Sequence, residues 1–318
     1  MLNLPSIVSR LRQMRSPSGC GIIVNEHTLT AAQTRKHVDI LGRWFEFIHH
    51  DDLLDRIEQP RRRPFCLLTF DDGKRSVYSS TAPELERLGV PAVFYVTTQF
   101  LADGQPLWFD HYEALLASLG SAPFGLERET VKQLPIDLIH ERLARACARH
   151  GVSADTRDDD VPAMSWDEAR SLAQRGFTIG AHGSAHAVMT RETAAGALAG
   201  IERSIADVTA EIGRPCQTFA FPNGNYTAAL AQHALKCGVR TVMTTEPVWA
   251  DTRFQVWRLP RIQLFGEQGR LKIDLKVALS ATGRVLANPD DTGRLYARIA
   301  RLSRDSTRRS ATVAVKVT

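Results

Sequence analysis

Short apolar runs alternate with amphipathic helical stripes along most of this chain, and nothing else in the sequence constrains the fold as tightly. Gly21-Ile22-Ile23-Val24-Asn25-Glu26-His27 reads as a strand that turns polar at its end. Thr30 and Gln33 then make a capping box, and Val38, Leu41 and Phe45 continue as a helical stripe. After a basic, proline-bounded linker at residues 60–64, an apolar run from Phe65 forms a second strand, followed by a helix through Leu85 and Leu88 that Gly89 stops. Ala92-Val93-Phe94-Tyr95-Val96 is β-branched and aromatic, hence another buried strand. Residues 99–164 interrupt the rhythm with two helical stripes, one through Trp108, Tyr112, Leu115 and Leu116 and one through Leu138, Ile139, Leu143 and Ala146. The alternation resumes with a capping box at Ser165 and Glu168, a strand at residues 177–181, and a helix through Ile201, Ile205, Val208 and Ile212. A strand at residues 218–221, a helix capped by Thr227, a strand at residues 241–244 and a last segment bordered by Leu259-Pro260-Arg261-Ile262 complete it. Such a succession demands a parallel sheet, either closed into a barrel or doubly wound.

Both architectures place working residues at the C-terminal ends of strands. His27, Asp71, Asp72, His182 and Pro222-Asn223-Gly224 all fall there. Leu67-Leu68-Thr69-Phe70 delivers two adjacent carboxylates, Asp71 and Asp72, to a turn opened by Gly73. Neighbours on a strand face opposite ways, but at the point where the strand breaks both acids can be splayed around one cavity, one for a metal and one for a proton. The plain alternative is a solvated Asp-Asp-Gly turn. His182-Gly183-Ser184-Ala185-His186 sets two imidazoles four residues apart, a spacing that on a helical turn puts both rings on one side. Two His and a carboxylate from another strand end make a three-ligand set with positions left for water. Cys66 and Cys237, the alternative soft ligands, fall inside a strand and at a helix end and read as packing residues.

With 43% apolar and 24% charged residues and a net charge of +5, the chain has the composition of a soluble globular protein. Five scattered cysteines without a Cys-x-x-Cys argue against a disulfide framework. Arg10, Arg12 and Arg15 precede any long apolar run, so we expect no secretory signal and a cytoplasmic location. The excess positive charge gathers at Arg298, Arg301, Arg304, Arg308, Arg309 and Lys316. Most such tails are solvated, and we expect no nucleic-acid partner; the stripe Leu295, Ile299 and Leu302 beside these arginines is expected first to pack on the barrel, with a weak contact to an anionic membrane surface as the alternative. Arg157-Asp158-Asp159-Asp160 reads as a solvated loop, with cation binding as its alternative.

Taken together, these motifs resemble the polysaccharide deacetylases of carbohydrate esterase family four. Thr69-Phe70-Asp71-Asp72-Gly73 matches that family's first motif, and His182-Gly183-Ser184-Ala185-His186 its second, with Gly183 where Ser or Thr is usual. Phe219-Ala220-Phe221-Pro222-Asn223-Gly224 is similar to the third, and the likeness spans residues 22–262. The resemblance implies a deformed (β/α) barrel of about seven parallel strands. On that reading residues 1–269 form the barrel, with a helical insertion at 99–164, and residues 270–318 a basic C-terminal helical appendage. It also implies a hydrolase that removes N-acetyl groups from an N-acetylhexosamine-containing saccharide. A divalent ion, Zn2+ first with Co2+ or Ni2+ as alternatives, would sit on Asp72, His182 and His186. Asp71 would be the general base, and the backbone N–H of Asn223 beside Gly224 an oxyanion donor. The expected substrate is a small or lipid-linked saccharide bearing N-acetyl groups, and the oligomeric state is left open.

The chain also departs from that pattern. No late-motif histidine follows His233 to protonate the leaving amine, and His27, at the end of the first strand, takes that role on the model of similar deacetylases. Ala220 stands where an arginine normally steadies the base, and Arg261 is the expected replacement, pairing with Asp71. Trp108, Phe109 and Trp257 could stack on a sugar, or be core. Two rivals stay open at this stage: a catalytically inactive carbohydrate-binding homologue, and a non-haem iron oxygenase built on the same two His and one Asp.

Overall fold

The computed structural model describes residues 21–59, 63–151 and 162–281. In chain order they form β1 (Gly21–Glu26), α1 (Ala31–Leu41), β2 (Glu46–Phe47), α2 (Leu53–Glu58), β3 (Phe65–Phe70), α3 (Ala82–Leu88) and β4 (Ala92–Val96). The insertion supplies α4 (Thr98–Asp103), α5 (Trp108–Leu119), α6 (Arg128–Val131) and α7 (Ile136–His150). Then follow α8 (Trp166–Gln174), β5 (Thr178–Ala181), α9 (Ala194–Ile212), β6 (Thr218–Ala220), α10 (Ala228–Lys236), β7 (Thr241–Met243), β8 (Ile262–Gln263) and α11 (Arg270–Ser280).

Every pair of these strands runs parallel, in the order β7-β6-β5-β4-β3-β1-β8. One edge of β3 is shared: short β2 pairs with Phe65 and Cys66, and β4 takes over from Leu68. The ring closes through residues 259–263. Leu259 hydrogen-bonds with Val242 and Thr244 beside β7, and three residues later Ile262 registers against Val24 of β1. A two-residue strand spans the gap where a regular barrel would have a full one, which is the deformation.

Alternation along each strand sorts side chains into two cores. Ile23, Phe65, Leu67, Val93, Tyr95, Ala220 and Met243 fill the inside of the ring. Ile22, Val24, Cys66, Leu68, Phe70, Phe94 and Val96 pack outward under the helices. With both faces covered, β1 and β3 are buried throughout, so their sequences read as continuous apolar runs. The capping boxes at Thr30 and Ser165 are both formed, and each satisfies orphan N–H groups at the start of its helix.

Among its described residues the insertion holds four α-helices where two were expected, because six-residue α4 and four-residue α6 carry too few apolar positions to show a stripe. It has a small core of its own, from Trp108, Tyr112 and Leu115 to Ile139 and Leu143, and Ala187, next to His186, belongs to that core. Residues 270–280 pack on the barrel: Ile273 and Val277 are buried, and Trp249 Nε1 donates to the Val277 carbonyl at 3.0 Å. The Arg157–Asp160 loop and the basic stretch after residue 281 lie outside the described residues. Among the described residues no helix is long and apolar enough to cross a membrane.

Candidate active site and metal centre

At the C-terminal rim of the ring lies a cleft of about 810 Å³, with Asp71, Asp72, His182 and His186 on its floor. All four are buried. The two acids reach one cavity because the backbone breaks between them. Asp72 has φ 81° and Gly73 φ 89°, left-handed values that turn the chain as it leaves β3. A non-glycine residue held there costs on the order of 1–3 kcal/mol, and such strain gathers at sites where a side chain must be aimed. Thr97 N–H secures the turn by donating to the Asp72 carbonyl at 3.2 Å.

The two histidines do not ride on a helical turn. Residues 182–186 form an irregular loop in which Gly183 has φ 76° and His186 φ 54°. Backbone bonds from Thr98 and Gln99 to the carbonyls of Gly183 and Ser184 pin that loop to the start of α4. The two rings still meet, with centroids 5.0 Å apart. His186 Nε2 lies 3.2 Å and His182 Nε2 3.8 Å from Asp72 Oδ1. One donor atom from each of Asp72, His182 and His186 falls within 4.8 Å of the others.

Four observations make this group fit a cation. Asp72 Oδ1 is buried with no hydrogen-bond partner, since the short approach of His186 lacks hydrogen-bond geometry. His182 Nδ1 sits 2.9 Å from the Ala220 carbonyl, which can only accept, so the proton is on Nδ1 and the Nε2 lone pair faces the cleft. Burial pushes His182 down to about 4 against the pull of Asp71, so the ring is neutral, as a ligand must be. Burial would raise Asp72, but His27 and His186 outweigh it and hold the carboxyl well below its ordinary range. Two nitrogens and one oxygen from a rigid frame suit zinc or a similar divalent ion.

Asp71 is set apart from this group by Arg261. Nη1 donates to Oδ1 at 2.6 Å and Nη2 to Oδ2 at 2.9 Å, a forked pair. Arg261 is 0% exposed, and it also donates to the Thr244 carbonyl and to Thr69 Oγ1, each at 3.1 Å. Its guanidinium lies over the Tyr95 ring at 5.3 Å. Burial alone would raise the Asp71 pKa; Arg261, with His182 and His27, reverses this and keeps it below the usual carboxylate value.

His27 lines the cleft one residue past β1, close enough for its charge to act on both acids. Exposed Asn223 also lines the cleft, with φ 55°, followed by Gly224 at φ 74°. A Cβ on Gly224 would fall 1.9 Å from Thr245 Oγ1, so this turn has room for glycine only.

Of the three aromatic candidates only Phe109 lines the cleft, its ring edge-on to His186 at 5.0 Å. Trp108 is buried in the insertion core, and Trp257 is half-buried against the outer core. Sequence reading missed Thr69 and Thr244 as partners of Arg261, and the Lys74–Asp110 ion pair at 2.9 Å in the cleft wall. Lys74 directly follows the Asp-Asp-Gly turn, and that adjacency was the available signal.

Residues 58–242 match the family model described as polysaccharide deacetylase. No curated protein sequence matches significantly. Among solved structures, the chain is similar to the Streptococcus pyogenes deacetylase PplD, with TM-score 0.58, 13% identity, and coverage of 82% of this chain and 99% of that one. The deacetylase domain of BpsB from Bordetella bronchiseptica gives TM-score 0.53 at 16% identity, covering 79% and 98%. A de-N-acetylase from Aggregatibacter actinomycetemcomitans gives TM-score 0.54 at 14% identity, covering 81% and 100%. At such identities the structural likeness speaks for the fold alone.

Proposed function

The chain belongs to the polysaccharide deacetylase family, whose members are hydrolases of amide bonds, and from that premise we propose that it removes N-acetyl groups from an N-acetylhexosamine-containing saccharide. The observation that carries this reading is the separation of two buried carboxylates by environment. Asp71 is claimed by Arg261, whereas Asp72 keeps an unpartnered oxygen between two imidazoles. That is a division of labour between proton transfer and cation binding.

Asp72, His182 and His186 would hold the ion, with zinc first and cobalt or nickel as alternatives. When bound, it supplies Lewis acidity and a water of lowered pKa. Asp71, kept as the anion by Arg261, takes the proton from the attacking water. The fork leaves each oxygen of Asp71 a second lone pair, so orientation and basicity coexist. The backbone N–H of Asn223 would receive the developing oxyanion, a contribution worth ~3 kcal/mol of barrier in comparable sites. His27, which lines the same cleft, returns the proton to the leaving amine. Phe109 gives the sugar an apolar edge.

The oxygenase alternative has no use for the Arg261-clamped Asp71. The inactive-homologue alternative is separated by experiment: acetate release from a panel of N-acetylated saccharides, with wild type and Asp71→Asn, before and after chelation. We expect the variant to lose ~100-fold or more in kcat/KM while keeping its metal content, in line with general-base contributions. Equal acetate release by both proteins, or none by either across the panel, would refute the proposal.

A further inference from the structure

On the outside of the barrel, away from the cleft, His233 and Cys237 lie four residues apart at the end of α10, and Glu202 faces them from α9. Four residues is one helical turn, so the imidazole and the thiol point the same way. One donor atom from each of the three residues lies within 4.8 Å of the others. His233 Nε2 already meets Glu202 Oε1 at 2.8 Å. The frame is firm: Ile201 and Ile205 of α9 and Leu230, Ala231 and Ala234 of α10 are buried in one shared core, and Cys237 packs against it. Gly238, at φ 104°, ends the helix directly after the thiol.

We propose that Glu202, His233 and Cys237 form a second metal site, for a thiophilic divalent ion of the zinc class, bridging α9 and α10. The donor set is sulfur, nitrogen and oxygen, which zinc and cobalt accept in tetrahedral geometry with water as the fourth ligand. It differs in kind from the sulfur-free set in the cleft. In the ion-free protein the imidazole N–H faces the Glu202 carboxylate. On binding, the ring gives up its Nε2 proton, with Nδ1 carrying the remaining N–H, so that Nε2 and Glu202 Oε1 both turn lone pairs to the ion, and the displaced Nε2 proton and the thiol proton leave to solvent. The position suggests the use. α9 follows the His182–His186 loop and α10 follows the Asn223–Gly224 turn, so one ion ties together the helices that lead away from both.

The test uses the full chain, stripped by chelator under reducing conditions and titrated with Co2+. Thiolate-to-cobalt charge transfer gives a near-ultraviolet absorption that a sulfur-free site cannot produce. We expect that band in the wild type and in Asp72→Asn, and its loss in Cys237→Ser together with one bound cobalt fewer per chain. His233→Ala should weaken this site by more than the ~10–100-fold typical of removing a mere orienting partner. A wild type without the band, or a band that survives Cys237→Ser, overturns the proposal. If Cys237→Ser does not fold by circular dichroism, Glu202→Gln and His233→Ala decide, and unchanged cobalt affinity in both overturns it equally. None of these outcomes depends on deacetylase activity.

Discussion

Replacing Arg261 by Met tests how the floor of the cleft is held together. The methionine keeps most of the stem's volume and removes the fork, so Asp71 loses two charge-assisted hydrogen bonds, and the Thr244 carbonyl and Thr69 Oγ1 each lose a donor. Bonds to a charged group are worth ~1.5–3 kcal/mol each and neutral ones ~1 kcal/mol, but part of that is desolvation regained when the guanidinium is gone. Removing one member of a buried pair costs ~3–5 kcal/mol, because the remaining charge stays buried and uncompensated. We take about 4 kcal/mol, a large part of the ~5–15 kcal/mol that holds a typical domain. Urea unfolding would show it as a lower midpoint at constant slope. The protonation of Asp71 supplies a second readout. Arg261 is what offsets burial, so without it the carboxyl pKa rises. The acid limb of the pH–kcat/KM profile then moves to higher pH, since the base is occupied by its proton over a wider range. Arg261→Lys should restore charge but not the fork, and so recover only part of both effects. In the double variant with Asp71→Asn no charge is stranded, and the combined destabilisation should fall well short of the sum. A loss below ~1 kcal/mol with an unmoved acid limb, or strict additivity in the cycle, would refute the account of Asp71 as an arginine-clamped base.

Three further outcomes follow from the same geometry. Gly224→Ala drives a methyl to within 1.9 Å of Thr245 Oγ1 at a backbone φ of 74°, so it should destabilise by ~2 kcal/mol or more in thermal unfolding and depress kcat more than it raises KM. Ser165→Ala removes the hydroxyl that accepts from Glu168 N–H at the start of α8; we expect a loss of ~1 kcal/mol in urea with kinetics unchanged. Burial holds His50 down to about 4, so the unfolded chain binds the extra proton first as pH falls below about 6.5. Stability from this residue is therefore complete above that value and is lost on the way down through 4, on the order of 3 kcal/mol, and His50→Gln should flatten that part of the stability–pH curve.

Much of this was written locally in the chain. Capping residues, stopping glycines and apolar runs respond to neighbours within a turn or two, so helix starts at Thr30 and Ser165 and the strands on either side of them could be placed without a structure. The same holds for the residue types at strand ends, because a parallel sheet with both faces covered leaves its C-terminal rim as the place for polar groups. Closure of the ring is another matter. Arg261 and Asp71 are 190 residues apart, and they meet only because a two-residue strand brings the end of the barrel against β1. No periodicity records which strand will neighbour which. Likewise Phe109 enters the cleft while adjacent Trp108 enters the core of the insertion, a choice made by how that small helical unit docks beside His186. The left-handed turn at Asp72 also depends on its setting, since the surrounding contacts must offset its strain. Chemistry of the right kind at the right end of each strand was decided by the order of amino acids; which side chains share a proton, an ion or a wall was decided by the packing of segments distant in sequence.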